Sequence, residues 1–381
     1  MYRPIYFDYC ATTPLSHDIR NSMLVALTEV YGNPSSMHWA GREAAKLVEQ
    51  ARIQVADSIG SQPKEIYFTS GATEADNLAL FGALRNRHPD PLHLITSAIE
   101  HHAILHAAQR LEREGHFVTY LPVDSQGLVD PEAVRKAIRP ETVLISIMLV
   151  NNEVGSIQPI AEIGDIAWQA GILMHTDAVQ GVGLLDINVS QLHVDLLSLS
   201  AHKIYGPKGI GALYVRNGTR VSSIMYGGPQ EGSLRPGTEN VPGIIGLGAA
   251  AQLVRDHKTE EYTRLARLRC RLAEGLHQCI PGVIINGPSN SYAPHVLSVS
   301  FPLADAEVML FRLNSLGVAV SMGSACTSKD IVPSHVLTAM GLKSDQIAGT
   351  LRISLGFPTT EKEINRFLEL IPDVYSKART D

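Results

Sequence analysis

Apolar residues recur along this chain in two alternating patterns. Over residues 41–59 they fall at Ala44, Leu47, Val48, Ala51, Val55 and Ile59, one face of a 3.6-residue turn, which predicts a helix. Residues 65–70 read as a short strand, and elsewhere apolar residues come in short, near-continuous runs at 92–96, 143–150, 172–176 and 194–199. Runs with no alternating polar position predict strands covered on both faces. Such strands interleaved with helical segments predict an α/β fold with a mostly parallel central sheet.

The pattern changes after residue 249. Residues 249–276 read as one long helix or two in series. A smaller α+β unit follows, with strand-like runs at 297–301, 318–321 and 351–355. Its last helix spans 360–371, opened by a Thr360–Glu363 capping box, with Ile364, Phe367, Leu368 and Ile371 as the buried stripe. The expected division is a large domain of residues 13–257 and a small one made of 1–12 and 258–381.

How the first strands end carries more information than how they run. Each finishes in polar residues: Ser70-Gly71-Ala72-Thr73, Glu100-His101, Asn151-Asn152, Asp177, and Ser200-Ala201-His202-Lys203. Ligands of open α/β sheets bind outside the carboxyl ends of the strands, so five such ends point to one shared site.

Composition narrows the class without naming the chemistry. The chain has 381 residues, 45% of them hydrophobic, enough to build a large core without staples. Its four cysteines, Cys10, Cys270, Cys279 and Cys326, form neither a disulfide framework nor a C-x-x-C zinc pair. With 32 basic and 38 acidic residues the net charge is −6, which argues against direct nucleic-acid binding. No run of about 18 apolar residues predicts a membrane span, and the first residues lack a signal-peptide pattern, so a cytoplasmic protein is expected. His102 and His106 stand at i,i+4 spacing, but no H-E-x-x-H pattern exists and no metal site is expected.

Three positions invite chemistry, and each has an ordinary alternative. Thr73 opens a helix whose free N–H groups suit a phosphate, or it caps that helix together with Asp76. Asp177 ends a buried strand and needs a cationic partner, which a protonated cofactor ring or a nearby Lys or Arg would equally supply. Lys203 at a strand end is a candidate nucleophile, although most lysines are solvated surface residues.

Taken together, the spacing from Asn152 through Asp177 and Gln180 to Lys203 resembles the class V aminotransferase family of pyridoxal phosphate enzymes. Within it the chain is similar to cysteine desulfurases of the NifS/IscS type. The resemblance runs nearly end to end. It takes in SGATEADN (residues 70–77), NNEVG (151–155), DAVQ (177–180), SAHKIYGPKGIG (200–211), LRPGTEN (234–240), GSACTS (323–328) and LRISLG (351–356). The fold it implies is the type I fold of pyridoxal phosphate-dependent transferases, a large domain with a mostly parallel mixed sheet plus a smaller α+β domain.

The resemblance also implies roles. Lys203 would hold pyridoxal 5′-phosphate covalently and move the substrate's Cα proton. Asp177 would pair with the ring nitrogen and Gln180 with the phenolic oxygen. Ala72 (through its backbone), Thr73, Ser200 and His202 would cradle the phosphate. Thr238 would reach the phosphate in the partner subunit of a homodimer. His101 would stack on the ring and serve as acid/base for the substrate thiol. Asn152 and Arg352 would hold the carboxylate of L-cysteine. Cys326, on a loop at about 321–334, would take the sulfur as a persulfide and pass it to an acceptor protein, an iron–sulfur scaffold or another sulfur carrier. A same-fold aminotransferase or selenocysteine lyase is the alternative reading; a non-enzymatic scaffold is the other. Departures from the family pattern fall at Pro229 and Gly232, and Cys10 stands where a small residue is usual.

Overall fold

The computed structural model describes residues 4–85, 91–322 and 333–379. Among these, the strands in chain order are β1 (Ile5–Tyr6), β2 (Ile66–Thr69), β3 (His93–Ser97), β4 (Phe117–Leu121), β5 (Thr142–Ser146), β6 (Leu173–Asp177), β7 (Leu196–Ser200), β8 (Gly211–Val215), β9 (Ile284–Asn286), β10 (Val296–Ser300), β11 (Val318–Ala319) and β12 (Thr350–Ser354). The helices are α1 (His17–Thr28), α2 (Trp39–Ile59), α3 (Ala72–Leu84), α4 (His102–Arg113), α5 (Pro131–Ala137), α6 (Ile160–Ala170), α7 (Val241–Cys279), α8 (Ala306–Ser315), α9 (His335–Ala339), α10 (Ser344–Ala348) and α11 (Glu361–Ser376).

Seven strands form the main sheet in the order β2-β8-β7-β6-β5-β3-β4. Strands β4, β3, β5, β6 and β7 run parallel, and β8 runs antiparallel to both of its neighbours. Consecutive side chains of a strand point to opposite faces. Here Ile95, Ile145 and Leu197 join one apolar cluster with α2 and α7, while Leu94, Leu144 and Leu196 join another with α3 and α4. That two-sided burial is why the runs carry no polar alternate.

The run at 143–150 is strand only as far as Ser146. Beyond it, Ile147 and Leu149 still donate to the carbonyls of His175 and Asp177, and Val150 bridges to Ile157. The apolar signal there records burial of a turn, and this turn delivers Asn151 and Asn152.

A second apolar cluster gathers β10, β12, α8, α11 and the C-terminal half of α7. Its sheet has the order β12-β10-β9, and the chain's start adds to it: β1 pairs parallel with β11, and Asp8 bridges to Ser354. Helix α7 is a single helix of 39 residues rather than two in series, begun by Asn240, whose side chain accepts from the Gly243 N–H at 3.1 Å. Its residues up to Val254 lie in the first cluster and those from Leu265 onward in the second. Helix α11 has the Thr360–Glu363 capping box. Its buried stripe is Ile364, Phe367, Ile371 and Val374, with Leu368 only partly buried against α7 at Gly275.

Candidate active site

The carboxyl ends of β2, β3, β5, β6 and β7 open on one cavity of about 710 Å³. Ala72, Thr73, His101, Asn152, Asp177, Gln180, Ser200, His202, Lys203 and Arg352 all line it. Thr238 is exposed and lies away from this cavity, and Cys326 falls outside the described residues. The two chain segments flanking Cys326 reach the cavity wall at Ser321 and His335.

Lys203 sits on a short 3₁₀ turn directly after β7. Its Nζ donates to the main-chain carbonyls of Cys10 and of Ala11, the latter at 2.8 Å. Burial, which penalises the charged amine, brings its pKa down to about 8. Near neutral pH a useful fraction of this amine is therefore a nucleophile.

Asp177 ends β6, accepts from the Val179 N–H at 2.9 Å and is raised by burial to about 6. Its carboxylate faces the cavity with room for a cationic partner. Behind it, Asp76 is fully buried with neither oxygen hydrogen-bonded, 3.7 Å from His175. Asp76 therefore does not cap α3. The N-cap is Gly71 (φ 156°, ψ 179°), a glycine-only conformation with no capping side chain. The first-turn N–H groups of α3 are left for an anion.

Burial lowers His101 and His202 to about 4, so both imidazoles are neutral at physiological pH. His101 is the N-cap of α4 and accepts from the Ala103 N–H through Nδ1, leaving Nε2 to carry its proton. Arg352, on β12, donates from Nη2 to Asp8 at 2.8 Å and from Nη1 to the Asn152 carbonyl at 3.1 Å. Its Nε is buried with no partner, a free donor of the kind a carboxylate satisfies.

Glu100 lies just under the wall. Its Oε1 accepts from Ser97 Oγ at 2.6 Å and from the Met148 N–H at 3.0 Å, while Oε2 has no partner. Burial raises it from 4.5 to about 8. Between those values the native state binds the extra proton, so this group's contribution falls as pH rises. Glu100→Gln keeps an acceptor for both bonds and cannot ionise. The variant should gain stability relative to wild type as pH rises from about 4.5 to about 8, read from paired melting curves.

The family model for aminotransferase class-V matches residues 5–367. This chain belongs to the class-V aminotransferases. It is 46% identical over 377 residues to the cysteine desulfurase IscS of Methanosarcina thermophila, covering 99% of this chain and 93% of that protein. A solved NifS-like protein superposes with a TM-score of 0.93 at 38% identity, covering 98% of this chain and 100% of that one. A structure of SspA in complex with cysteine superposes with a TM-score of 0.83 at 39% identity, over 92% and 98% of the two chains. Class-V aminotransferases of this kind depend on pyridoxal 5′-phosphate.

The residues present fit that cofactor. An uncapped helix start, a carboxylate lacking a cationic partner and an amine of lowered pKa all face the same cavity. The tight side is Gly211: a Cβ there would stand 2.6 Å from the Leu199 carbonyl oxygen and 2.8 Å from the backbone of Gly71. Gly211→Ala should displace the Gly71–Thr73 turn, costing about 1–3 kcal/mol. Cofactor retained after gel filtration should fall with it.

The sequence reading missed the parts of the class-V site that are backbone or distant partners. These are the Cys10 and Ala11 carbonyls under Lys203, Asp8 beside Arg352, and Glu153, which accepts from Ser334 Oγ at 2.5 Å. Among the described residues, no group of three or more His, Cys, Asp or Glu side chains could hold a metal ion. No helix among them is long and apolar enough to cross a membrane.

Proposed function

We propose that this chain is a cysteine desulfurase that converts L-cysteine and a protein thiol into L-alanine and a persulfide on Cys326. The observation that carries the reading is the convergence in one cavity of Lys203, Asp177 and the buried Arg352 with its free Nε. Close relatives named cysteine desulfurase and a fold neighbour solved with cysteine support it.

When bound, pyridoxal phosphate supplies an electron sink for the bond changes at the substrate. The α3 start at Ala72 and Thr73, with Ser200 and His202, holds its phosphate. Asp177 pairs with the ring nitrogen, and Gln180 hydrogen-bonds the phenolic oxygen. His101, on the cavity wall, would lie against the ring and would exchange the proton of the substrate thiol. Arg352 and Asn152 hold the substrate carboxylate. Lys203 would hold the cofactor through its amine and would then take the proton from Cα of the substrate. The Cys326 thiolate would attack the substrate sulfur: a sulfur–sulfur bond forms, the carbon–sulfur bond breaks, Cβ gains a proton, and Lys203 returns the proton to Cα so that alanine leaves.

In the sequence Cys326 stands five residues beyond Ser321, which lines the cavity. We take the working unit to be a homodimer, with Thr238 reaching the partner's cofactor phosphate. Leu24, Leu27, Tyr31, Met37 and Trp39 are all exposed on and after α1, apolar surface of the sort a second copy covers. The large unit of 13–257 and the small unit of 1–12 and 258–381, a cytoplasmic location, and an acceptor protein for the persulfide sulfur complete the proposal. Supplying L-cysteine to the pyridoxal phosphate-loaded protein with a reductant should release alanine and sulfide in equal amounts. Alanine without sulfide would sink the reading.

A further inference from the structure

His295 takes no part in the chemistry above and lies behind the cavity wall, at the start of β10. It is 6% exposed, and its Nε2 stands 3.1 Å from Gln180 Oε1. The same Gln180 donates from Nε2 to the Cys10 carbonyl at 3.0 Å, the oxygen that also receives Lys203 Nζ. One amide is thus gripped at both ends.

We infer that His295 is a positioning residue, a neutral imidazole with its proton on Nε2 that locks the Gln180 amide with its NH₂ toward Cys10 and the cavity. The inference rests on the assignment of Gln180 to the cofactor's phenolic oxygen.

The hydrogen-bond inventory carries the argument. The Cys10 carbonyl can only accept, so the Gln180 atom facing it is nitrogen and the atom facing His295 is oxygen. An amide oxygen only accepts, so Nε2 of His295 is the protonated nitrogen. His295 Nδ1 is buried with no partner, which a bare ring nitrogen tolerates better than a buried N–H would. Burial, with the Arg352 and Lys203 charges facing the ring, holds His295 down to about 3, so the imidazole stays neutral through the working range. The second hydrogen of the Gln180 NH₂ is then free for an acceptor in the cavity. His295 directly precedes β10, the central strand of the second sheet, and its carbonyl accepts from the Leu355 N–H, so the lock ties that sheet to the cofactor wall.

The test uses the pyridoxal phosphate-loaded protein and two readouts. In ¹⁵N-histidine-labelled protein, the His295 ring should show a proton on Nε2 and a bare Nδ1; a proton on Nδ1 overturns the inference. In the visible spectrum, His295→Leu should move the pH midpoint of the bound cofactor upward by about half a unit to one unit, the worth of one net hydrogen bond. His295→Gln, which returns a donor near the place of Nε2, should restore it. Gln180→Leu should shift the midpoint in the same direction. A shift in Gln180→Leu without one in folded His295→Leu overturns the role of His295 alone. No shift in Gln180→Leu overturns the Gln180 assignment and this inference with it. If His295→Leu does not fold, the tautomer and the His295→Gln midpoint decide: an Nδ1 proton or a midpoint like that of Gln180→Leu counts against the lock.

Discussion

Lys203→Ala is expected to give a folded protein whose conversion of L-cysteine falls by about 10³-fold or more, and which retains no pyridoxal phosphate through borohydride reduction and denaturation. The side chain is not part of either apolar core, and its two acceptors, the carbonyls of Cys10 and Ala11, open on the same cavity, where water can replace the amine. The wild-type amine has a lowered pKa of about 8, and it is the neutral form that captures the cofactor. Capture by cofactor-free protein should therefore accelerate as pH rises through about 8 and level off above it. A borohydride-stable adduct in Lys203→Ala would assign the attachment to another residue.

Cys326→Ala is the second large effect. Cofactor binding and the spectrum of the loaded protein should stay as in wild type, since Lys203, Asp177 and the α3 start are untouched. Alanine formation from L-cysteine should drop by about 10³-fold, because no other thiol is delivered to the substrate sulfur. Mass spectrometry after a single turnover should find the added sulfur on the wild-type Cys326 peptide only. The other cysteines offer poor substitutes: burial raises the Cys10 thiol, Cys270 is raised chiefly by its bond to Glu274, and Cys279 ends α7 away from the cavity. Equal alanine yield from wild type and variant would move the assignment toward a selenocysteine lyase or an aminotransferase.

The parts of the fold legible in the sequence are those where one physical signal dominates. Strands β3, β5, β6 and β7 are buried on both faces, so their composition alone announces them. β4 was silent because it is half exposed at the sheet edge, and β8 because its start is the small-residue run Gly211-Ala212. Thr73, His101, Asp177 and Lys203 were readable because each stands at or just after the end of a strand, whereas Arg352 lies within β12 and Asn152 on the turn beyond β5. Their supports were not. Arg352 meets Asp8 across 344 positions, and Gln180 meets His295 across 115, distances over which no local pattern speaks. The cradle of Lys203 is main chain, which any residue at position 10 would provide.

At 1.5 Å per residue, α7 is a beam about 58 Å long. It is seated in the first apolar cluster at Val254 and in the second at Leu265, with no break in its hydrogen bonding between them. The two cores are therefore joined by one continuous helix instead of a flexible strap. Turning one against the other would bend that beam or strip its carbonyls. Asp177 ends β6 of the first sheet, Arg352 stands on β12 of the second, and both line the one cavity. A molecule must match it at both ends, carboxylate on one side and ring on the other, before any proton moves.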